Sequence, residues 1–146
     1  MLNFIEIDIC NQIHKKITFN ILNNRKYNIS HLNQIDFLDH EDFFQNHPYR
    51  NWYLIKFKSD YIGTLYLSKD NMIGINFIKY KEIYLKKTIN FVLNNHEPLP
   101  PIKSIRSDSF LINVHPENSK LSNFLVDNGA IHIQSTYKLK KISQTN

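Results

Sequence analysis

The chain has 146 residues, 18 Lys plus Arg against 13 Asp plus Glu for a net charge of +5, and three glycines, five prolines and one cysteine. Its length suits one domain with one core. The 42% hydrophobic and 13% aromatic content excludes collagen-like, mucin-like and disordered chains, which cannot bury enough apolar surface to offset chain entropy. A single cysteine excludes a disulfide scaffold, and Cys10 reads as a small buried hydrophobe in a reducing compartment.

In chain order, Leu2 to Ile7 predicts a strand. Asp8 then caps a helix whose apolar stripe is Ile13, Ile17, Ile21 and Leu22. Tyr27 to Gln34 is polar loop, and Asp39 to Asn46 is a short helix that carries Phe43 and Phe44 and stops before Pro48. Trp52 to Phe57, Tyr61 to Ser68 and Met72 to Ile78 are β-rich runs separated by Lys58-Ser59-Asp60 and Lys69-Asp70-Asn71, which predicts an antiparallel meander. Leu85, Ile89, Val92 and Leu93 recur at helical spacing up to Asn95. Pro98, Pro100 and Pro101 stiffen a surface loop from Glu97 to Ser104 inside one domain of residues 1–146. Phe110 to Val114 follows as a strand, Pro116 to Asn128 as a helix stopped by Gly129 at C′, and Ile131 to Leu139 as a final strand. This order gives an α/β fold with a mixed sheet.

The positive charge comes from 15 Lys and three Arg, scattered outside the tail Lys138, Lys140 and Lys141. Nucleic-acid binding would use Arg forks and a clustered basic face, so no nucleic-acid partner is expected. No apolar run approaches the roughly 20 residues that cross a bilayer, and the N-terminus lacks the pattern of a secretory signal. The expectation is a soluble cytoplasmic protein with no membrane partner. The seven histidines show no spacing that converges three or four ligands, so no metal is expected and they read as mostly solvated or cap residues.

At the last strand–helix–strand unit, Asn113-Val114-His115-Pro116-Glu117-Asn118, with Gly129 eleven residues after Asn118, resembles the GCN5-related N-acetyltransferase (GNAT) superfamily. The meander feeding a helix near Tyr80 extends the resemblance in topology over nearly the whole chain. It implies a mixed, mostly antiparallel central sheet flanked by helices, with a splay between the fourth and fifth strands that takes acetyl-CoA. By the resemblance Ile75, Asn76, Phe77 and Ile78 form the cofactor edge. Tyr80, Lys81 and Lys86 lie where the phosphates go, and Asn118 caps the last helix and meets the cofactor. Ser30 and Asn113 are candidate acceptor-binding residues, and His31 or His115 is the candidate base, with an unperturbed pKa near about 6.5 that suits a proton relay. Tyr137 on the final strand is the candidate acid.

The resemblance implies acyl transfer from acetyl-CoA to a small primary amine. Asn28-Ile29-Ser30-His31 with His47-Pro48-Tyr49-Arg50-Asn51-Trp52-Tyr53 looks like a bacterial subgroup associated with surface-sugar biosynthesis, which suggests an amino sugar on a nucleotide. Three positions depart from the family pattern. The stretch Tyr80 to Lys87 holds none of the glycines that usually cradle pyrophosphate, Leu125 stands where many members carry a Tyr acid, and Ala130 replaces a common Phe. These departures motivate an alternative, a degenerate member that keeps the fold and uses its cleft for another ligand or a protein partner. A final strand at a sheet edge also leaves pairing with a second copy, a homodimer, open.

Overall fold

The computed structural model describes residues 1–24 and 36–143. The elements are β1 (Leu2–Glu6), α1 (Gln12–Asn23), α2 (Phe37–Gln45), β2 (Asn51–Phe57), β3 (Asp60–Leu67), β4 (Met72–Phe77), α3 (Glu82–Asn95), β5 (Leu111–Ile112) and α4 (Ser119–Asp127). The strands form one sheet in the order β1-β2-β3-β4-β5, antiparallel except for the parallel pair β4 and β5. The predicted meander is present, and its two tight turns pass through Lys58 and Asn71 at positive φ. Among the described residues no helix is long and apolar enough to cross a membrane.

Alternation along the strands gives the sheet two apolar faces. One carries Leu2, Tyr53, Ile55, Leu65, Leu67 and Ile73 and is covered by α3 through Val92. Phe91 of α3 stacks on Phe4 with ring centroids 4.0 Å apart, and Tyr84 meets Phe57 and Phe77. The other face carries Trp52, Leu54, Thr64 and Tyr66. There α2 lays Phe44 against Trp52 at 5.6 Å, while α1 packs on β3 and β4. Each fully buried Leu, Ile, Val or Phe contributes roughly 1.5–3 kcal/mol of transfer free energy, so the two layers hold the sheet between them.

The helices differ from the sequence reading in instructive ways. Asn11, not Asp8, caps α1, its Oδ1 accepting the N–H groups of Ile13 and His14. Asp8 instead accepts the N–H of Cys10, and Cys10 is exposed rather than buried. The buried stripe of α1 is His14, Thr18 and Ile21, with Ile13 left 63% exposed. Thr18 can be buried because its hydroxyl donates to the His14 carbonyl one turn back, at 3.0 Å. The same device turns α3 onto Leu85, Thr88 and Val92, where the Thr88 hydroxyl donates to the Tyr84 carbonyl at 2.8 Å and Leu93 faces solvent.

His40, expected at the surface, is buried between α1 and α2. Its Nε2 lies 2.9 Å from Thr18 Oγ1 and 3.1 Å from the Lys15 carbonyl. A carbonyl only accepts, so Nε2 carries the proton. Burial pulls the His40 pKa below its ordinary value, which the bond to Lys15 partly offsets.

The loop between α3 and β5 is tied to the β3–β4 turn by one side chain. Asn71, fully buried, donates from Nδ2 to the carbonyls of Leu99 and Ser107 and accepts the Leu99 N–H. Arg106 adds bonds to the carbonyls of Pro100 and Lys69, and Arg50 reaches the Glu97 carbonyl.

The C-terminal reading is corrected. The helix is shorter than expected, starting at Ser119 under an Asn118 cap, and Gly129 follows it at φ +91° as predicted for C′. The strand expected over Ile131 to Leu139 does not form. A strand needs a ladder partner, and β5 offers an edge only two residues long.

Candidate functional site

The parallel pairing of β4 with β5 is confined to Met72 with Leu111 and Ile73 with Ile112. Asn71 sets that register, because its main-chain carbonyl accepts the Leu111 N–H at 2.9 Å while its side chain fixes the incoming loop. Beyond Ile112 the two strands part, and β4 continues alone to Phe77. Main-chain groups alternate sides along an antiparallel strand. The Ile78 N–H bonds the Ile62 carbonyl and the Met72 carbonyl accepts from Ser68, so the even-numbered residues of this segment turn toward β3. Ile75 and Phe77 therefore present N–H and C=O on the open side. Of the four residues expected on this edge, Asn76 and Ile78 commit their main chains to β3, and Ile75 and Phe77 face the splay.

A groove of about 430 Å³ opens between the start of α3 and α4, lined by Tyr80, Glu82, Lys120, Asn123, Phe124, Asp127 and Asn128. The N–H groups of Tyr84 and Leu85 bond the Lys81 carbonyl, so α3 leaves the N–H groups of Glu82 and Ile83 without an intrahelical acceptor. The bulky Ile83 and Tyr84 do not line the groove. Tyr84 is turned down onto Phe57 and Phe77, and Ile83 is 51% exposed. Burial and the neighbouring Glu82 raise the Tyr80 hydroxyl above its ordinary pKa. Lys81 holds its ammonium 5.3 Å from the Tyr84 ring centroid, and Lys86 is exposed on α3.

Local bonds shape the turn between β5 and α4. His115 Nδ1 accepts the Glu117 N–H at 3.1 Å, its carbonyl accepts the Asn118 N–H at 2.8 Å, and Asn118 Oδ1 accepts the Leu121 N–H at 3.2 Å. With Nδ1 accepting, the neutral His115 ring carries its proton on Nε2. Asn113 is exposed just past β5, where the strands have parted. Tyr137 is 81% exposed on the C-terminal arm. Ser30 and His31 lie outside the described residues.

Lys120, Asn123 and Asp127 escaped the sequence reading, although with Phe124 they fall at i, i+3, i+4 and i+7, the spacing of one helix face. That polar stripe beside a single buried Phe was the available signal. On the sheet face that bears α1 and α2, Tyr49 and Tyr66 stack at 4.0 Å with rings 6° apart, and Tyr66 lies directly over Gly74. Among the described residues no three His, Cys, Asp or Glu side chains converge as metal ligands.

No protein-family model matches the sequence, and no curated protein matches it significantly. Solved structures do match in shape. One is described as a possible acetyltransferase from Clostridium difficile 630, with 11% identity, TM-score 0.55, and 98% of this chain and 99% of that chain covered. Another is AAC(6')-Iy in complex with the bisubstrate analog CoA-S-monomethyl-acetylneamine, with 12% identity, TM-score 0.59 and the same coverage. The sheet order, the parallel β4–β5 pair and these likenesses together give the chain a GNAT-like fold.

Proposed function

We propose that this chain is an acetyl-CoA-dependent N-acetyltransferase acting on a small primary amine. The observation that carries the reading is the free stretch of β4, where Ile75 and Phe77 offer main-chain donors and acceptors to an extended amide-bearing arm such as pantetheine. A groove lies at the start of α3, where the Glu82 and Ile83 amides and Lys120 suit phosphates. The likeness to AAC(6')-Iy, solved with a CoA-based analog, supports the same cofactor.

In this reading the bound thioester supplies the acetyl group, and the chain's residues position it and move the amine's proton. The attacking amine must arrive neutral, so a base takes its proton directly or through water. His115 would first have to release the Glu117 amide, and in this reading His31 is the base. Tyr137 could protonate the leaving thiolate only if the arm folded over the cleft. Asn113, exposed where the strands part, and Ser30 are retained as acceptor contacts. Titration calorimetry with acetyl-CoA at about 1 mM, followed by thiol release with a panel of amines that includes nucleotide-linked amino sugars, tests the proposal. Binding and thiol release are expected; no heat and no thermal shift would refute it.

One observation favours a second reading. Glu82 and Asp127 line the same groove against the single Lys120, a poor balance for two or three phosphate groups. A degenerate member that binds a less anionic ligand there would give no heat with acetyl-CoA, yet gain thermal stability from that ligand.

A further inference from the structure

The groove and its rim carry opposite charge, and from that division we infer that the preferred acyl donor is a thioester on the phosphopantetheine arm of an acidic carrier protein, which docks on the rim at the start of α3. The inference rests on the acyl-transfer reading above and names the donor for the same cleft.

Three observations meet here. First, the groove is poorly made for the phosphates of coenzyme A. Lys120 is the only cation among its lining residues, Glu82 and Asp127 oppose it, and the stretch Tyr80 to Lys87 has no glycine to let a pyrophosphate approach the backbone. Coenzyme A brings both a pyrophosphate and a phosphomonoester. A carrier-borne arm brings one phosphodiester and leaves the rest of the negative charge on the carrier's own surface, outside the groove. The Glu82 and Ile83 amides with Lys120 match that smaller demand.

Second, most of the lysines stand around the groove rather than in it. Lys79, Lys81, Lys86 and Lys87 fall within nine residues against one carboxylate, Glu82, and all four are exposed, as is Lys120 on α4. Among the described residues none of the five has an ion-pair partner. Lysines so placed meet an acidic protein surface seated on the rim and steer its approach.

Third, the rim is apolar as well as basic. Ile78, Tyr80 and Ile83 are between 41% and 53% exposed and alternate with those lysines from the end of β4 to the first turn of α3. Solvated apolar side chains set among one sign of charge suit an acidic amphipathic helix. The rim directly follows Phe77, so an arm laid along Ile75 and Phe77 leaves β4 beside it. In the transfer the amine nitrogen bonds the acetyl carbonyl carbon and the C–S bond breaks. The amine's proton goes to the base, and the departing thiolate takes up a proton and stays on the carrier as a free thiol.

The test is titration calorimetry of the full chain with acetyl-CoA, acetyl-4′-phosphopantetheine, a bacterial acyl carrier protein loaded with acetyl, and the same carrier lacking its arm. The loaded carrier should bind at least about tenfold tighter than acetyl-CoA and tighter than either the arm or the bare carrier, because the two contacts are linked. Its affinity should fall steeply between about 50 and 300 mM salt. Lys79→Glu with Lys87→Glu should weaken the loaded carrier at least about tenfold and leave acetyl-4′-phosphopantetheine within about threefold. Both side chains are exposed, so far-UV circular dichroism should not change, which separates loss of docking from loss of folding. A loaded carrier that binds no tighter than acetyl-CoA, or that ignores both salt and the double variant, overturns the inference, and acetyl-CoA binding in that experiment leaves the acyl-transfer reading standing. Absence of binding by all of the probes overturns both.

Discussion

Asn71→Ala probes the joint on which the splay depends. Asn71 is fully buried at φ 63°, donates to two carbonyls and accepts one N–H, all from the loop that delivers β5. Removing the side chain strands the Leu99 N–H and the carbonyls of Leu99 and Ser107. Leu99 and Ser107 are half-buried, so water can reach some of these groups, and about 1 kcal/mol for each is the appropriate end of the range. A left-handed backbone at a residue with a Cβ and no compensating local bond adds about 1 kcal/mol. The sum is about 4 kcal/mol for Ala. Asn71→Gly escapes the backbone term and should cost about 3 kcal/mol, while Asn71→Asp keeps the acceptor and loses both donors. Urea unfolding monitored by Trp52 fluorescence measures all three, and the Ala variant should melt roughly 10 °C lower. The loop is also what holds Leu111 to Asn71, so acetyl-CoA binding should weaken in every variant that remains folded. A loss under about 1 kcal/mol for Asn71→Ala would show that the bonds to Leu99 and Ser107 do not fix the loop.

Three further outcomes are expected. A Cβ on Gly74 would clash with the Tyr66 ring, and Tyr66 is stacked on Tyr49, so Gly74→Ala should cost about 1–3 kcal/mol in urea unfolding and less in a Tyr66→Ala background, where the ring is gone. His40 has a lowered pKa in the fold, so below about pH 6.5 the unfolded chain binds a proton that the folded chain refuses. Stability from this group is present above that pH and falls as pH drops toward the folded pKa, by up to about 1.4 kcal/mol per pH unit; His40→Gln should remove that part of the slope between pH 7.5 and 5, leaving what His47 and His96, also lowered by burial, contribute. In the groove, Lys120→Glu should weaken acetyl-CoA and Glu82→Gln or Asp127→Asn should tighten it, each by roughly threefold and less at high salt, as titration calorimetry would show.

The sheet was legible in the sequence because its code is local. Alternating β-branched and aromatic residues between Lys58-Ser59-Asp60 and Lys69-Asp70-Asn71 set strand limits to within a residue. Gly129 and Asn118 likewise announce the two ends of α4, since a C′ glycine and an Asx cap act on their own backbone. Helix facing was less legible. A search for apolar letters places Ile13 and Leu93 inside, yet burial goes to Thr18 and Thr88, whose hydroxyls are satisfied within their own helices and so cost little to bury. The buried His40 escaped for a related reason: its partners, Thr18 and the Lys15 carbonyl, lie more than 20 residues away.

The candidate site divides along the same line. The stretch Ile75 to Ile78 could be picked from the order of elements, but which of its main-chain groups face the cleft depends on the register against β3 and on where β5 stops. The start of the β4–β5 pairing is held by Asn71, a turn residue whose long-range bonds leave no mark in the sequence. The missing glycines between Tyr80 and Lys87 suggested a blocked phosphate site, and the fold answers by directing Tyr84 into the aromatic layer between Phe57 and Phe77. What distinguishes this cleft is then its charge, Glu82 and Asp127 against Lys120, rather than its width. Coulomb repulsion of that kind is graded and screened by salt, where a steric block is neither, so affinity for acetyl-CoA that recovers with added salt would assign the repulsion to those two side chains.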